Sequence, residues 1–304
     1  MTVSGKQIRL VWQEGQVAGI DFGGQGRDVL LVHGSGHNSA AWTAVAADLI
    51  KHCHPMAIDL RGHGQTTTDS TNAEQYWRDL EPICDQLNLT RPLVVGHSTG
   101  GYAVTAATAA GLIDASGIRV IDGFVLDTRE VAAAGLDRAR SAAAMDPLWT
   151  AFRYGWRADD HHKQQFIDRV VREAGTDWLN SGADPQHVRE VTTRSFLRVG
   201  QHWLRCPTLE EIDVVAQPNC AGAIYPSVDI YGRIDRPLSL VLASDGFYAQ
   251  RHFELDALIQ ARPKRTLVQV QSNHNVPMTH PQQTANTVWS VPDFIDTGLG
   301  CQIG

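Results

Sequence analysis

Residues 93–101 read Leu93-Val94-Val95-Gly96-His97-Ser98-Thr99-Gly100-Gly101, and they decide the fold. The run 92–95 is apolar without interruption apart from its opening proline, as a strand buried on both faces is. The alanine-rich stretch 99–110 reads as a helix. Between the two, glycines at 96 and 100 flank a serine in the pattern G-x-S-x-G, which acquires its meaning in a strand–turn–helix setting. The turn is tight enough that a side chain at 96 or 100 would collide with neighbouring backbone. Ser98 is then lifted clear of the sheet, beside a helix N-terminus that favours developing negative charge. Ser98 is the expected nucleophile.

Outward from this segment the same rhythm recurs. Residues 7–12 and 17–22 flank Gly15 as an N-terminal hairpin. Strand-like runs follow at 28–32, 55–58 and 120–126, separated by helical spacings at 41–50 and 73–87. The rhythm resumes at 238–243, with a helix near 253–261, a strand at 266–271 and a closing helix near 282–289. Uniformly apolar strands separated by helices predict a parallel α/β sheet covered on both faces, with the helices as crossovers. Between 131 and 232 the pattern is helical, with few credible buried strands. This block holds Trp149, Trp156, Trp178 and Trp203, four of the chain's eight tryptophans. It reads as a mostly helical insertion between two sheet strands.

The 304 residues suffice for one large domain, or for a core domain carrying an insertion. A hydrophobic fraction of 43% with 19% charged residues is the balance of a globular protein. The net charge of -7 argues against a nucleic-acid partner, which needs clustered Lys and Arg. No apolar run reaches the length of about 18 residues that marks a membrane span. Residues 1–10 alternate polar and apolar positions, with no signal core. The expectation is a cytoplasmic protein acting on a small molecule; a homodimer is left open. The five cysteines (Cys53, Cys84, Cys206, Cys220 and Cys301) are odd in number and lack C-x-x-C spacing. A disulfide framework and a cysteine zinc site are both disfavoured, and all five are expected to be ordinary thiols. No cofactor or metal is expected. The adjacent His161 and His162 diverge on a helix and read as a solvated face.

A serine hydroxyl needs a base to take its proton. Among thirteen histidines, His274 lies on the polar loop 272–275 after the last predicted strand. Parallel strands end at one edge of the sheet, so this loop can meet Ser98. His97 is expected to be a support residue, and His280 to start the closing helix. The base in turn needs a carboxylate to hold its tautomer. Two strand ends offer one: Asp245 after 238–243, the favoured choice, and Asp127 after 120–126. Oxyanion donors are expected from the backbone N–H of Thr99 and of Ser35, with Gly36 next.

Jointly, LLVHGSG (30–36), IDLRGHGQT (58–66), VVGHSTGG (94–101), the strand ending at Asp245, and NHNVPMTHP (273–281) resemble the α/β-hydrolase superfamily. The resemblance implies a mostly parallel eight-stranded sheet, a helical cap inserted after the sixth strand, and hydrolysis through an acyl-enzyme. The core would comprise 1–130 and 233–304, and the cap 131–232. Family members with the acid after the seventh strand usually carry it three residues beyond a glycine. Ala243-Ser244-Asp245-Gly246 departs from that, which keeps Asp127 open. Serine at 98 argues against haloalkane dehalogenases and epoxide hydrolases, whose matching residue is aspartate. The expected function is hydrolysis of a carboxylic ester or lactone of a small apolar molecule. Trp156, Trp178 and Trp203 are the expected substrate-binding residues, beside Trp149 and Tyr154. The alternatives are a C–C bond hydrolase of a meta-cleavage-type diketone, which the HGSG segment also resembles, and a hydrolase-fold ligand receptor.

Overall fold

A strand sends alternate side chains to opposite faces, so an uninterrupted apolar strand requires cover on both. The computed structural model describes residues 5–12 and 14–289. The N-terminal hairpin is β1 (Lys6–Trp12) with β2 (Gly15–Asp21), followed by β3 (Asp28–Val32), β4 (His54–Ile58), β5 (Leu93–His97) and β6 (Gly117–Ile121). Three short strands, β7 (Arg157–Ala158), β8 (Phe196–Val199) and β9 (His202–Arg205), form a sheet of their own. The main sheet is completed by β10 (Leu238–Asp245) and β11 (Arg265–Asn273). It has eight strands in the order β1-β2-β4-β3-β5-β6-β10-β11. The β1–β2 and β2–β4 pairings are antiparallel, and the rest are parallel. The expected mostly parallel eight-stranded sheet is therefore present.

Alternation divides the core. Leu30, Val32, Val94, Val120, Leu240 and Leu242 pack with Trp77, Tyr102 and Ala103 on one face. Leu31, Val95, Ile121, Val241, Ala243 and Val270 pack with Trp42, Leu49 and Val288 on the other. The parallel strands β3, β5, β6, β10 and β11 all run toward one edge, so the residues that follow them collect there.

Between β6 and β10 the chain makes a long excursion. It contains the helices Arg129–Ala139, Ala142–Phe152, Asp160–Glu173, Pro185–Arg194 and Leu209–Val215, and also the sheet β7-β9-β8. The small sheet was not expected. Its strands are two to four residues long, too short for alternation to register, and its hairpin turns at Gly200 with φ +59°. Helix Pro185–Arg194 shows how the excursion docks. Asp184 caps it by accepting from the N–H groups of Gln186 and His187, and proline occupies the first turn. Its His187, Val188, Val191 and Thr192 are buried at helical spacing. Polar contacts fix it to the loop after β3. Asn38 Nδ2 donates to the Val191 carbonyl at 2.8 Å and to Ser195 Oγ at 2.9 Å, and His187 Nε2 donates to the Ala40 carbonyl at 2.8 Å. Among the described residues no helix is long and apolar enough to cross a membrane.

The strongest clamp is ionic. Arg194 Nη2 lies 2.9 Å from Asp59 Oδ2, with the Asp59 side chain fully buried. Asp59 also accepts from the N–H groups of Ser39 at 2.7 Å and Gln65 at 2.9 Å. Burial pushes the Asp59 carboxyl up, but the charge and hydrogen bonds of Arg194, together with the Gln65 N–H and His33, more than offset it and hold the pKa below the ordinary value. A carboxyl depressed on folding contributes stability above its unfolded pKa of about 3.9 and loses it as pH falls through the lower folded value. Arg194→Met leaves a buried charge without its partner. It should cost about 3–5 kcal/mol in urea unfolding at neutral pH, and the deficit should shrink in acid as Asp59 protonates. An unchanged unfolding midpoint at neutral pH would remove the clamp.

Candidate active site

Ser98 occupies the turn between β5 and helix Thr99–Ala109 at φ 52°, ψ -125°. For a residue with a Cβ this conformation costs about 1–3 kcal/mol. The surroundings enforce it. A Cβ on Gly96 would overlap the Gly100 carbonyl, and one on Gly100 would overlap the Val32 carbonyl. The Ser98 N–H donates to the Ile121 carbonyl at 3.0 Å, tying the turn to the end of β6.

His274 follows β11 directly and is buried. Its Nδ1–H donates to Asp122 Oδ2 at 2.7 Å, which leaves Nε2 to accept from the Ser98 hydroxyl at 3.1 Å. Asp122 follows β6 directly and has no exposed surface. Two backbone N–H groups hold its carboxylate: Ala243 in β10 to Oδ1 at 3.3 Å, and Phe247 in the loop after β10 to Oδ2 at 3.2 Å. Gly246 is required beside it, since a Cβ there would overlap Asp122 Oδ2. Around His274, the Phe247 ring packs at 4.1 Å between centroids. His97 Nε2–H donates to the His274 carbonyl at 2.8 Å. Burial, and then the neighbouring His274 and His37, drive the His97 pKa well down, so His97 is a neutral prop.

The loop after β3 forms the facing wall. The His37 N–H donates to the Gly34 carbonyl at 3.1 Å, closing a turn in which Ser35 and Gly36 are central and Gly36 has φ +77°. Ser35 Oγ lies 3.0 Å from Thr99 Oγ1, so the turn abuts the helix start. Thr99 is the first helical residue, and its N–H has no acceptor within the helix. His33 braces the loop: Nδ1–H donates to the Gly34 carbonyl at 2.7 Å and Nε2 accepts from the Leu60 N–H at 3.0 Å. Burial lowers the His33 pKa, and burial takes that of His37 down to about 3.

A cavity of about 800 Å³ opens from Ser98. Ser35, Ser98 and His274 line it from the sheet edge, and Tyr154, Trp178 and Arg205 from the excursion.

Residues 29–287 match the sequence model of the alpha/beta hydrolase family. The chain belongs to that family. Over 117 residues, 34% of this α/β-hydrolase, it is 32% identical to protein phosphatase methylesterase 1 of Mus musculus. The shared stretch is 30% of that protein, so the chain spans about a third of the curated relatives it matches. The structure resembles that of E-2-(acetamidomethylene)succinate hydrolase at 18% identity with a TM-score of 0.72, covering 96% of this chain and 100% of that one. It also resembles a thermophilic esterase from Thermogutta terrifontis at 18% identity with a TM-score of 0.60, covering 93% and 96%. At that identity these two likenesses speak to the fold.

In this α/β-hydrolase, Ser98 and His274 meet as expected, but neither expected acid touches the histidine. Asp245 is exposed at the end of β10, where its Oδ2 accepts from Ser244 Oγ at 3.1 Å and Gln271 Nε2 at 3.3 Å. Asp127 forms an ion pair with Arg251 at 2.8 Å. Asp122 is the carboxylate in place. The strand expected at 120–126 ends at Ile121, and the turn dipeptide Asp122-Gly123 was the signal for that stop. Of the expected aromatic contacts, Trp178 lines the cavity. Trp156 instead packs in the cluster of Ala158, Phe166, Ile167 and Phe196. Trp203 lies beneath Lys163 Nζ at 3.2 Å and donates from Nε1 to Asp160 at 2.6 Å. His280 caps the short helix Val276–Thr279, just before the closing helix Pro281–Trp289. His162 is exposed and paired with Asp159. Cys53, Cys84 and Cys206 are buried free thiols whose pKa burial pushes up to about 12. Cys220 is exposed, and Cys301 lies outside the described residues.

Because Gly246 abuts Asp122, Gly246→Ala should cost about 1–3 kcal/mol of stability by overpacking. It should also weaken the Nδ1–H···Oδ2 bond, read by NMR as loss of the downfield imidazole proton resonance. A wild-type spectrum and stability in the variant would mean that Gly246 does not set the position of Asp122.

Proposed function

We propose that this α/β-hydrolase cleaves a carboxylic ester or lactone of a small, largely apolar molecule through an acyl-enzyme on Ser98. The observation that carries the reading is the unbroken chain of hydrogen bonds from Asp122 through His274 to Ser98, ending on a hydroxyl that faces the cavity.

In this reading His274 Nε2 takes the Ser98 proton as Oγ attacks the substrate carbonyl. Asp122 holds Nδ1–H toward itself and stabilises the imidazolium that forms. The backbone N–H groups of Thr99 and Ser35, with Gly36 beside them, bind the oxyanion. Collapse of the tetrahedral species expels the alcohol, which takes the proton from His274 and leaves the acyl group on Oγ. A water then gives its proton to His274 and attacks the acyl carbonyl. The carboxylic acid departs, and the proton returns to Ser98. The excursion 131–232 serves as a cap, since its residues supply the wall opposite Ser98. Its Tyr154 and Trp178, with Phe247 and Met278 from the core, give the substrate an apolar surface.

The roles separate by mutation. With p-nitrophenyl acetate as substrate, Ser98→Ala should abolish turnover while leaving the unfolding midpoint unchanged. Asp122→Asn should lower kcat by about 10⁴-fold, because the amide favours the wrong imidazole tautomer. Asp245→Asn and Asp127→Asn should leave kcat near wild type. A large loss at Asp245 or Asp127 with none at Asp122 would overturn the acid. Cleavage of a vinylogous diketone with no turnover of any ester would move the reaction class to C–C hydrolysis.

A further inference from the structure

The cavity contains a cation that ester hydrolysis does not use. Arg205 ends β9, is 6% exposed, and lines the wall. Its Nη1 donates to the Cys206 carbonyl at 2.5 Å, while its buried Nε has no partner. Among the described residues no carboxylate forms an ion pair with it. Arg61 and Arg194 are buried to a similar degree, and each faces one: Asp79 at 2.5 Å and Asp59 at 2.9 Å. Burial lowers the Arg205 pKa, with only Tyr154 and Cys206 acting in the other direction, yet a guanidinium stays charged in proteins.

A box of aromatic rings holds this charge in place. The guanidinium carbon lies 5.5 Å from the Tyr154 ring centre and 5.7 Å from those of Phe166 and Phe196. Ring faces attract a cation, but they do not supply the oxygen acceptors that a guanidinium fork matches. Tyr154 links the box to the reaction centre, since its hydroxyl lies against Gly36 in the expected oxyanion turn. A second guanidinium, Arg169, also lines the cavity and lies 5.1 Å from the Phe166 ring. The wall does carry acids. Asp177 is already engaged by the Leu179 N–H and Asn180 Nδ2, and Glu173 is exposed.

We propose that Arg205 is a carboxylate-binding residue of this cavity, and that the preferred substrate is an ester carrying a free carboxylate, of the dicarboxylic half-ester class. The proposal rests on the reading of Ser98 as nucleophile and sharpens it, giving the apolar substrate one charged end. The carboxylate pairs with the Arg205 guanidinium, while Tyr154 spans the gap to the carbonyl undergoing attack.

Two comparisons test it. Monomethyl succinate, glutarate and adipate are set against their dimethyl esters, first as substrates of the wild type, Arg205→Met and Arg205→Lys. The same pairs are then titrated calorimetrically into Ser98→Ala, which retains Arg205. In the wild type one half-ester should exceed its diester in kcat/KM by at least about tenfold, as expected where a site's polar group is left unpaired by the analogue. Arg205→Met should erase that preference, and Arg205→Lys should restore part of it. Ser98→Ala should bind the same half-ester at least about tenfold more tightly than the diester. Equal turnover and equal binding at every chain length would overturn the carboxylate site and leave ester hydrolysis standing. Selective half-ester binding by Ser98→Ala, with no ester turnover by the wild type, would support the site and overturn the hydrolysis reading. Should Arg205→Met fail to fold, the Ser98→Ala titration decides.

Discussion

The hydrogen bond between Asp122 and His274 sets the terms for the rest of the molecule. A carboxylate with no exposed surface is costly unless its oxygens are satisfied, and here an imidazole and two backbone N–H groups satisfy it. Those partners arrive from different strands. Asp122 follows β6, the two amides come from β10 and the loop that follows it, and His274 follows β11. Only strands running in one direction bring three such ends together. The uninterrupted apolar composition of the strands thus reaches through the parallel sheet to the placement of one imidazole beside one serine.

Ser98 is held from both sides of the same edge. Its own amide is tied to Ile121, the residue before Asp122, so the Ser98 turn and the buried carboxylate share a backbone anchor. Facing it, the turn at Ser35 and Gly36 is braced by His33 and stacked against Thr99. The excursion is keyed to this loop through Asn38, His187 and the buried Asp59–Arg194 pair. An excursion docked by hydrogen-bonded groups rather than by apolar surface alone has a defined register over the cavity. That register is what lets Tyr154 lie against Gly36, and it gives Arg205 a fixed position relative to Ser98.

Much of this was legible in the sequence, and the failures have physical causes. The turn at Ser98 could be read because a local motif between a strand and a helix leaves few alternatives. His274 could be read because a polar loop after the last parallel strand must lie at the active edge. The acid could not, because an apolar run through Phe124 and Leu126 resembles strand past the point where Asp122-Gly123 ends it. Side chains after the break still pack into the core, so burial alone does not mark a strand's end. Trp156 and Trp203 misled for a related reason: aromatic composition does not distinguish a cavity wall from a satellite core. Arg205 carried no sequence signal. Its isolation from carboxylates depends on which rings surround it in three dimensions.

The central claim is that the buried carboxylate–imidazole pair activates Ser98 and no other hydroxyl. The most direct measurement is covalent labelling with a fluorophosphonate, followed by peptide mapping by mass spectrometry. A single adduct on Ser98 is predicted, slowed strongly in His274→Ala and Asp122→Asn and unaffected in Asp245→Asn. An adduct on another serine, or labelling of Ser98 at the wild-type rate without His274, would contradict it.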